Sequence, residues 1–236
     1  MADAKPILEV SNLNAWYGES HVLHGMSLEV RAGELVTLLG RNGAGKTTTL
    51  KSIMGMVGKR SGSVKFEGTE ISKLPSNKIA RLGIEICPEE RGIFASLNVQ
   101  ENLMLPPVVK PGGLSVDEIF ELFPNLKTRI KSPGTKLSGG EQQMLAIGRI
   151  LRTGARFLMF DEPTEGLAPV IVQQIGATIR KLKAAGFTIM LVEQSIQFAQ
   201  SVADRHYIVE HGKVVDMVPA AELESSMGRL RVYLGV

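Results

Sequence analysis

Leu50, Ile53, Met54 and Val57 recur at i, i+3, i+4 and i+7, the spacing of one apolar stripe on a helix. Directly upstream, Leu35–Leu39 is an apolar run of strand length, interrupted only by Thr37. Before it, the stretches 7–17 and 21–30 are β-rich and separated by turn residues, and 61–71 reads as a second hairpin region. A helix is expected from Ser76 to Leu82. Between Glu89 and Lys136 the pattern breaks up. Pro106, Pro107, Pro111, Gly112, Gly113, Pro124 and Pro133 punctuate short helices, as in an inserted, mostly helical subdomain. Strand and helix then alternate again: Phe157–Phe160, Pro169–Ala185, Phe187–Val192 and Ile196–Ala203, with a last hairpin turning at His211-Gly212. Strands alternating with helices of this length predict an α/β chain whose parallel sheet is covered on both faces. No internal repeat or low-complexity segment interrupts the pattern.

Composition narrows the classes. The 236 residues suit one substantial domain. A net charge of +3 is too mild to argue for nucleic acid. Cys87 is the single cysteine, so no internal disulfide forms and a reducing compartment fits. The first ten residues lack a basic head followed by an apolar stretch, and no apolar run reaches membrane-spanning length. The expectation is a cytoplasmic protein anchored by something else if it works at a membrane.

Three motifs carry chemistry. Gly40-Arg41-Asn42-Gly43-Ala44-Gly45-Lys46-Thr47 fits the phosphate-loop pattern, follows the predicted strand and opens the predicted helix, with Thr48 next in line. Its glycines let backbone N–H groups converge on one anion, the helix N-terminus adds partial positive charge, and Lys46 reaches the outer phosphates. Thr47 offers a hydroxyl to Mg²⁺. Asp161-Glu162 ends the apolar strand 157–160. Two acids there are often ordinary solvated turn residues. At the carboxyl ends of a parallel sheet, beside a phosphate loop, Asp161 is placed to hold Mg²⁺ and Glu162 to take a proton from an attacking water. Third, Leu137-Ser138-Gly139-Gly140-Glu141-Gln142-Gln143 combines a capping box with two glycines at a helix start, a second anion site.

A phosphate loop, LSGGEQQ and the carboxylate pair, in this order over essentially the whole chain, resemble the ATP-binding-cassette (ABC) ATPases. The resemblance implies a P-loop fold with a RecA-like parallel core and an N-terminal antiparallel β subdomain, together spanning 1–88 and 157–236. A helical signature subdomain would span 89–156. It implies ATP and Mg²⁺ as cofactors and stacking of Tyr17 on adenine. It also implies a head-to-tail dimer in which Ser138, Gly139, Gly140 and Glu141 serve the partner's ATP, which accounts for two anion sites that cannot share one nucleotide.

Three positions depart from the family pattern. Glu89 stands for a glutamine and is carried over as a third metal candidate; Gln194 stands for the switch histidine; Ala168 stands for an aspartate. Such changes fit a degenerate subunit, although Lys46, Thr47, Asp161 and Glu162 are intact. PEERGIF, PTEGLAP and LVEQ together resemble the smaller ATPase of the branched-chain amino acid importers. That implies a second, non-identical ATPase, two membrane permeases, an extracytoplasmic binding protein and a place on the inner face of the cell membrane. In isolation a homodimer is the alternative. ATPases of urea or amide importers stay open as alternatives, as do a non-transport ABC ATPase and a regulatory nucleotide switch. The stretch 49–136 lacks the sustained heptads that repair-type members need.

Overall fold

The computed structural model describes residues 5–234; the outermost ends of the expected 1–236 range lie outside it. Two sheets are stacked. The first is antiparallel, formed by β1 (Leu8–Tyr17), β2 (Ser20–Val30), β4 (Lys59–Phe66) and β5 (Thr69–Glu70), in the order β2-β1-β4-β5. The second has the order β10-β9-β3-β8-β7-β6, built from β3 (Leu35–Leu39), β6 (Ile84–Cys87), β7 (Phe157–Asp161), β8 (Thr188–Glu193), β9 (Arg205–Glu210) and β10 (Lys213–Pro219). All its pairings are parallel except the β9–β10 hairpin.

The near-continuous apolar runs of β3, β7 and β8 follow from burial on both faces. Leu158, Phe160, Ile189 and Leu191 pack into a core under α6 (Gly139–Arg152), α7 (Pro169–Ala184) and α8 (Ile196–Val202). Their neighbours Phe157, Met159, Met190 and Val192 point the other way, onto the antiparallel sheet and the Leu50–Ile53 face of α1 (Lys46–Ile53). Phe157 and Phe160 are fully buried, so truncating either to alanine would cost about 3–5 kcal/mol. The start of β9 is pinned to the start of β3 by Arg205, whose guanidinium forks onto Glu34 (2.9 Å from Nη2 to Oε2) and also donates to the Glu29 carbonyl.

Between β6 and β7 lie α3 (Val99–Met104), α4 (Val116–Leu122) and α5 (Pro124–Thr128), short helices inside the proline-punctuated stretch 89–136, and then α6. Asn98 and Ser115 cap α3 and α4 through complete capping boxes. α2 (Ser76–Arg81) ends one residue before Leu82, and α7 ends at Ala184 rather than Ala185, with Gly186 at φ 83° turning the chain back. β8 starts at Thr188 instead of Phe187 and runs through Glu193, because its ladder with β3 extends to Leu39↔Glu193. A C-terminal helix, α9 (Leu223–Leu234), was not legible in the pattern; it buries only Leu223 and Leu230, against Leu39 and Ile208.

Candidate active site

The ladder registers bring three strand ends level. Leu39 pairs with Glu193, and Asp161 pairs with Val192, so the phosphate loop, the two acids and Gln194 emerge at one edge of the sheet. The loop is seated by backbone rather than by side chains. Gly45, the N-cap of α1, has φ 103°, and a Cβ on it would lie 2.9 Å from Leu23 Cδ2 and 3.2 Å from Gly212 Cα. A Cβ on Gly40 would lie 2.2 Å from the Val209 carbonyl oxygen. Gly212 N–H donates to Ala44 O at 2.8 Å while His24 N–H donates to Gly212 O at 3.0 Å. The β9–β10 turn is thus the floor of the loop, a role the sequence signals only by its glycine. No side chain caps α1 and no acid stands in its first turn, which leaves its leading N–H groups for an anion.

Lys46 is 4% exposed, and its Nζ donates to Gly40 O at 2.8 Å and lies 3.3 Å from Glu162 Oε1. Thr47 Oγ1 donates to Asp161 Oδ1 at 2.9 Å. Asp161 Oδ2 is buried with no hydrogen-bond partner among the described residues. Burial pushes the Asp161 carboxyl up to about 6, with Glu162 and Glu89 adding repulsion and the Thr47 hydrogen bond opposing. An orphaned, buried carboxylate oxygen beside a threonine hydroxyl fits a divalent cation. Among the described residues no group of three or more His, Cys, Asp or Glu could hold a metal alone, and Mg²⁺ ordinarily takes one or two carboxylates plus phosphate and water.

Glu162 sits at φ 46°, a left-handed backbone that is sparsely populated and costs about 1–3 kcal/mol for a residue of this kind. Gln194 Nε2 donates to its Oε2. Burial opposes ionisation of Glu162, but hydrogen bonds from Glu165 and Gln194 and the Lys46 charge outweigh it and hold its carboxyl below the usual range. Glu165 is pushed the other way, first by that hydrogen bond to Glu162 and then by burial and nearby carboxylates. Lys46, Thr47, Thr48, Asn42, Gly43, Glu89, Glu162 and Glu165 share one pocket of about 320 Å³. Arg41 and His211 line a neighbouring hollow. Glu165 and Glu193 escaped the sequence reading. Glu193 is buried, accepts from Thr164 Oγ1 at 2.7 Å and from the Gln194 N–H, and so braces the strand end that carries Gln194.

Two expected groups lie apart from this pocket. Tyr17 is 49% exposed at the end of β1, paired with Ser20; Val22, further along that hairpin, reaches the pocket instead. Ser138, Gly139, Gly140 and Glu141 open α6 and line none of it. Their capping box is complete: Ser138 N–H donates to Glu141 Oε2 at 2.7 Å and Glu141 N–H to Ser138 Oγ at 3.3 Å. Ile171 crowds the Cβ position of Gly140 to 2.9 Å, so a side chain there would push α7 away.

The family description "ABC transporter" matches residues 23–165. The chain is 42% identical, over 97% of its length and 100% of the other's, to the high-affinity branched-chain amino acid transport ATP-binding protein BraG of Pseudomonas aeruginosa. It is 37% identical, over 92% and 94%, to a probable branched-chain amino acid transport ATP-binding protein LivF of Archaeoglobus fulgidus. It is 34% identical, over 97% of each, to the lipopolysaccharide export system ATP-binding protein LptB of Escherichia coli. Among solved structures, a nucleotide-free ATP-binding cassette from an ABC transporter superposes with a TM-score of 0.85 at 24% identity, covering 98% and 99% of the two chains, a likeness of fold. The chain therefore belongs to the ABC transporter family, as one of its ATP-hydrolysing subunits.

Proposed function

We propose that this chain powers import of branched-chain amino acids by hydrolysing ATP in a dimer with a second, non-identical ATPase, on the inner face of the cell membrane. Two permease subunits and an extracytoplasmic binding protein complete the machine. The cargo reading is carried by one observation, the 42% identity to BraG along its whole length, against 34% to LptB. ATPases of this family act as dimers beside membrane permeases. Among the described residues no helix is long and apolar enough to cross a membrane.

Site roles follow from the pocket. Residues Gly40–Thr48 hold the ATP phosphates through backbone N–H groups and the Lys46 charge; Tyr17, outside the phosphate pocket, serves as the adenine platform on the strength of the family resemblance alone. Thr47 and Asp161 would hold Mg²⁺, with Glu89 at the rim, and the ion would supply charge neutralisation at the phosphate oxygens. Glu162 accepts the proton of the attacking water. Gln194, hydrogen-bonded to Glu162, orients that carboxylate. Lys46 already contacts Glu162, so phosphate binding draws the ammonium to the nucleotide and frees the base. Ser138–Glu141 face the partner's nucleotide, a reading supported by their absence from the lining of this chain's own pocket. The permeases would seat against the apolar cleft of about 430 Å³ between β6 and α6, where Phe94 and Leu105 are exposed.

Uptake of labelled leucine, isoleucine and valine by cells lacking this chain tests the cargo. Restoration by the wild-type chain and not by Glu162→Gln supports the reading. Intact uptake in the deletion strain, with loss of urea, amide or lipopolysaccharide transport instead, would overturn it.

A further inference from the structure

The turn after β6 faces two ways. Glu89 lines the phosphate pocket, whereas Arg91 and Gly92 face the opposite cleft. Arg91 takes φ 61°, within a tight turn closed by Arg91 N–H to Pro88 O at 3.0 Å and Gly92 N–H to Glu90 O at 2.6 Å. A left-handed backbone at a branched-headed residue persists only where its surroundings over-determine it. Here they do. Arg91 Nε donates to Gln143 Oε1 at 3.2 Å, and Gln143, 2% exposed, turns its amide nitrogen to Cys87 Sγ at 3.6 Å. Further along α6, Arg149 Nη1 donates to Gly92 O. The Arg91 Nη atoms lie 3.2 and 3.6 Å from where a Cβ on Gly139 would be, so the glycine lets the guanidinium lie over the start of α6.

We infer that Arg91 is a positioning residue: it sets the Ser138–Gly140 turn for the partner's nucleotide. The inference rests on the dimer reading above and extends it to a residue outside both nucleotide contacts. The guanidinium bonds through Nε while both Nη atoms lie close to Gly139, a two-point placement that a lysine ammonium does not reproduce. Small displacements matter at such a place, since a shift of 1 Å in a group that meets the transition state costs up to about a hundredfold in rate.

The test uses the assembled transporter with Glu162→Gln in this chain, so that turnover comes only from the partner's phosphate loop facing this chain's signature. In that background Arg91→Ala is expected to lower turnover by roughly tenfold or more. Binding of a fluorescent ATP analogue to this chain's own loop, and the Tm of the isolated chain, should stay as they were. Arg91→Lys should not restore the rate. Unaltered turnover, full recovery with lysine, or a loss matched by equal falls in Tm and in own-loop binding would each overturn the role. Ser138→Arg in the same background separates the layers. If it abolishes turnover and Arg91→Ala does not, the positioning role alone fails; if it leaves turnover intact, the dimer reading fails and carries this inference with it.

Discussion

Thr47 Oγ1 donates to Asp161 Oδ1 at 2.9 Å across 114 positions of chain, and the other Asp161 oxygen is buried without a partner. The two residues belong to different motifs, one at the start of α1 and one at the end of β7, and the parallel sheet is what brings them together. A buried acid in that state is costly alone and favourable beside a cation. Asp161→Asn is therefore expected to weaken Mg²⁺ binding by at least about tenfold while leaving metal-free ATP binding in place. Titration of nucleotide affinity with Mg²⁺ and with chelator decides this; an unchanged Mg²⁺ response would remove Asp161 from the metal site.

Lys46→Ala and Glu162→Gln should fail differently. Lys46 lies inside the loop it serves, with Nζ on Gly40 O, so its loss should lower ATP affinity and turnover together. Glu162→Gln keeps the loop and loses only the proposed proton acceptor, so ATP should bind and persist while turnover falls by roughly 10²–10⁴-fold. Equilibrium binding and single-turnover rates separate the two.

Gln194 is a neutral group that donates to Glu162. Losing a hydrogen bond to a charged group removes about 1.5–3 kcal/mol, so Gln194→Ala should slow hydrolysis about tenfold or more, yet less than Glu162→Gln does. Gln194→His can still donate and should retain activity. The rate is read in the assembled complex with the partner's site disabled. A silent Gln194→Ala would make the residue a bystander.

His206 gives a pH signature unrelated to catalysis. It is fully buried between β9 and β3, with Nδ1 2.7 Å from Thr37 Oγ1, and burial holds it down at about 4. The unfolded chain protonates this ring near 6.5, the folded one far lower. Stability from this group is therefore complete above pH 6.5 and is lost as pH falls toward 4, by up to about 3 kcal/mol. Chemical denaturation at pH 7 and pH 4.5 should show that loss, and His206→Gln should flatten it.

Local signals placed much of this site in advance. The GxxxxGK[ST] spacing, the apolar run into Asp161-Glu162, and the Ser138–Glu141 capping box all depend on neighbours within a few residues, and each appears where the pattern puts it. The missing parts depend on distant partners. Glu193 looks like the end of an apolar strand until Thr164 is seen to bond it. Gly212 is an ordinary turn glycine until the phosphate loop rests on it. Arg91 lies inside PEERGIF, but the motif says nothing of its contacts; its meaning lies in Gln143 and Gly139, some fifty residues on. α9 escaped because two buried leucines seven residues apart make too thin a stripe to count as periodic.

The most direct test of the whole account is leucine uptake by proteoliposomes that hold the reconstituted transporter, its loaded binding protein outside and Mg-ATP inside. With the wild-type chain, uptake and ATP hydrolysis should rise together, and with Glu162→Gln both should fall while ATP remains bound. Uptake that continues at the wild-type rate with Glu162→Gln, or hydrolysis indifferent to the loaded binding protein, would contradict it.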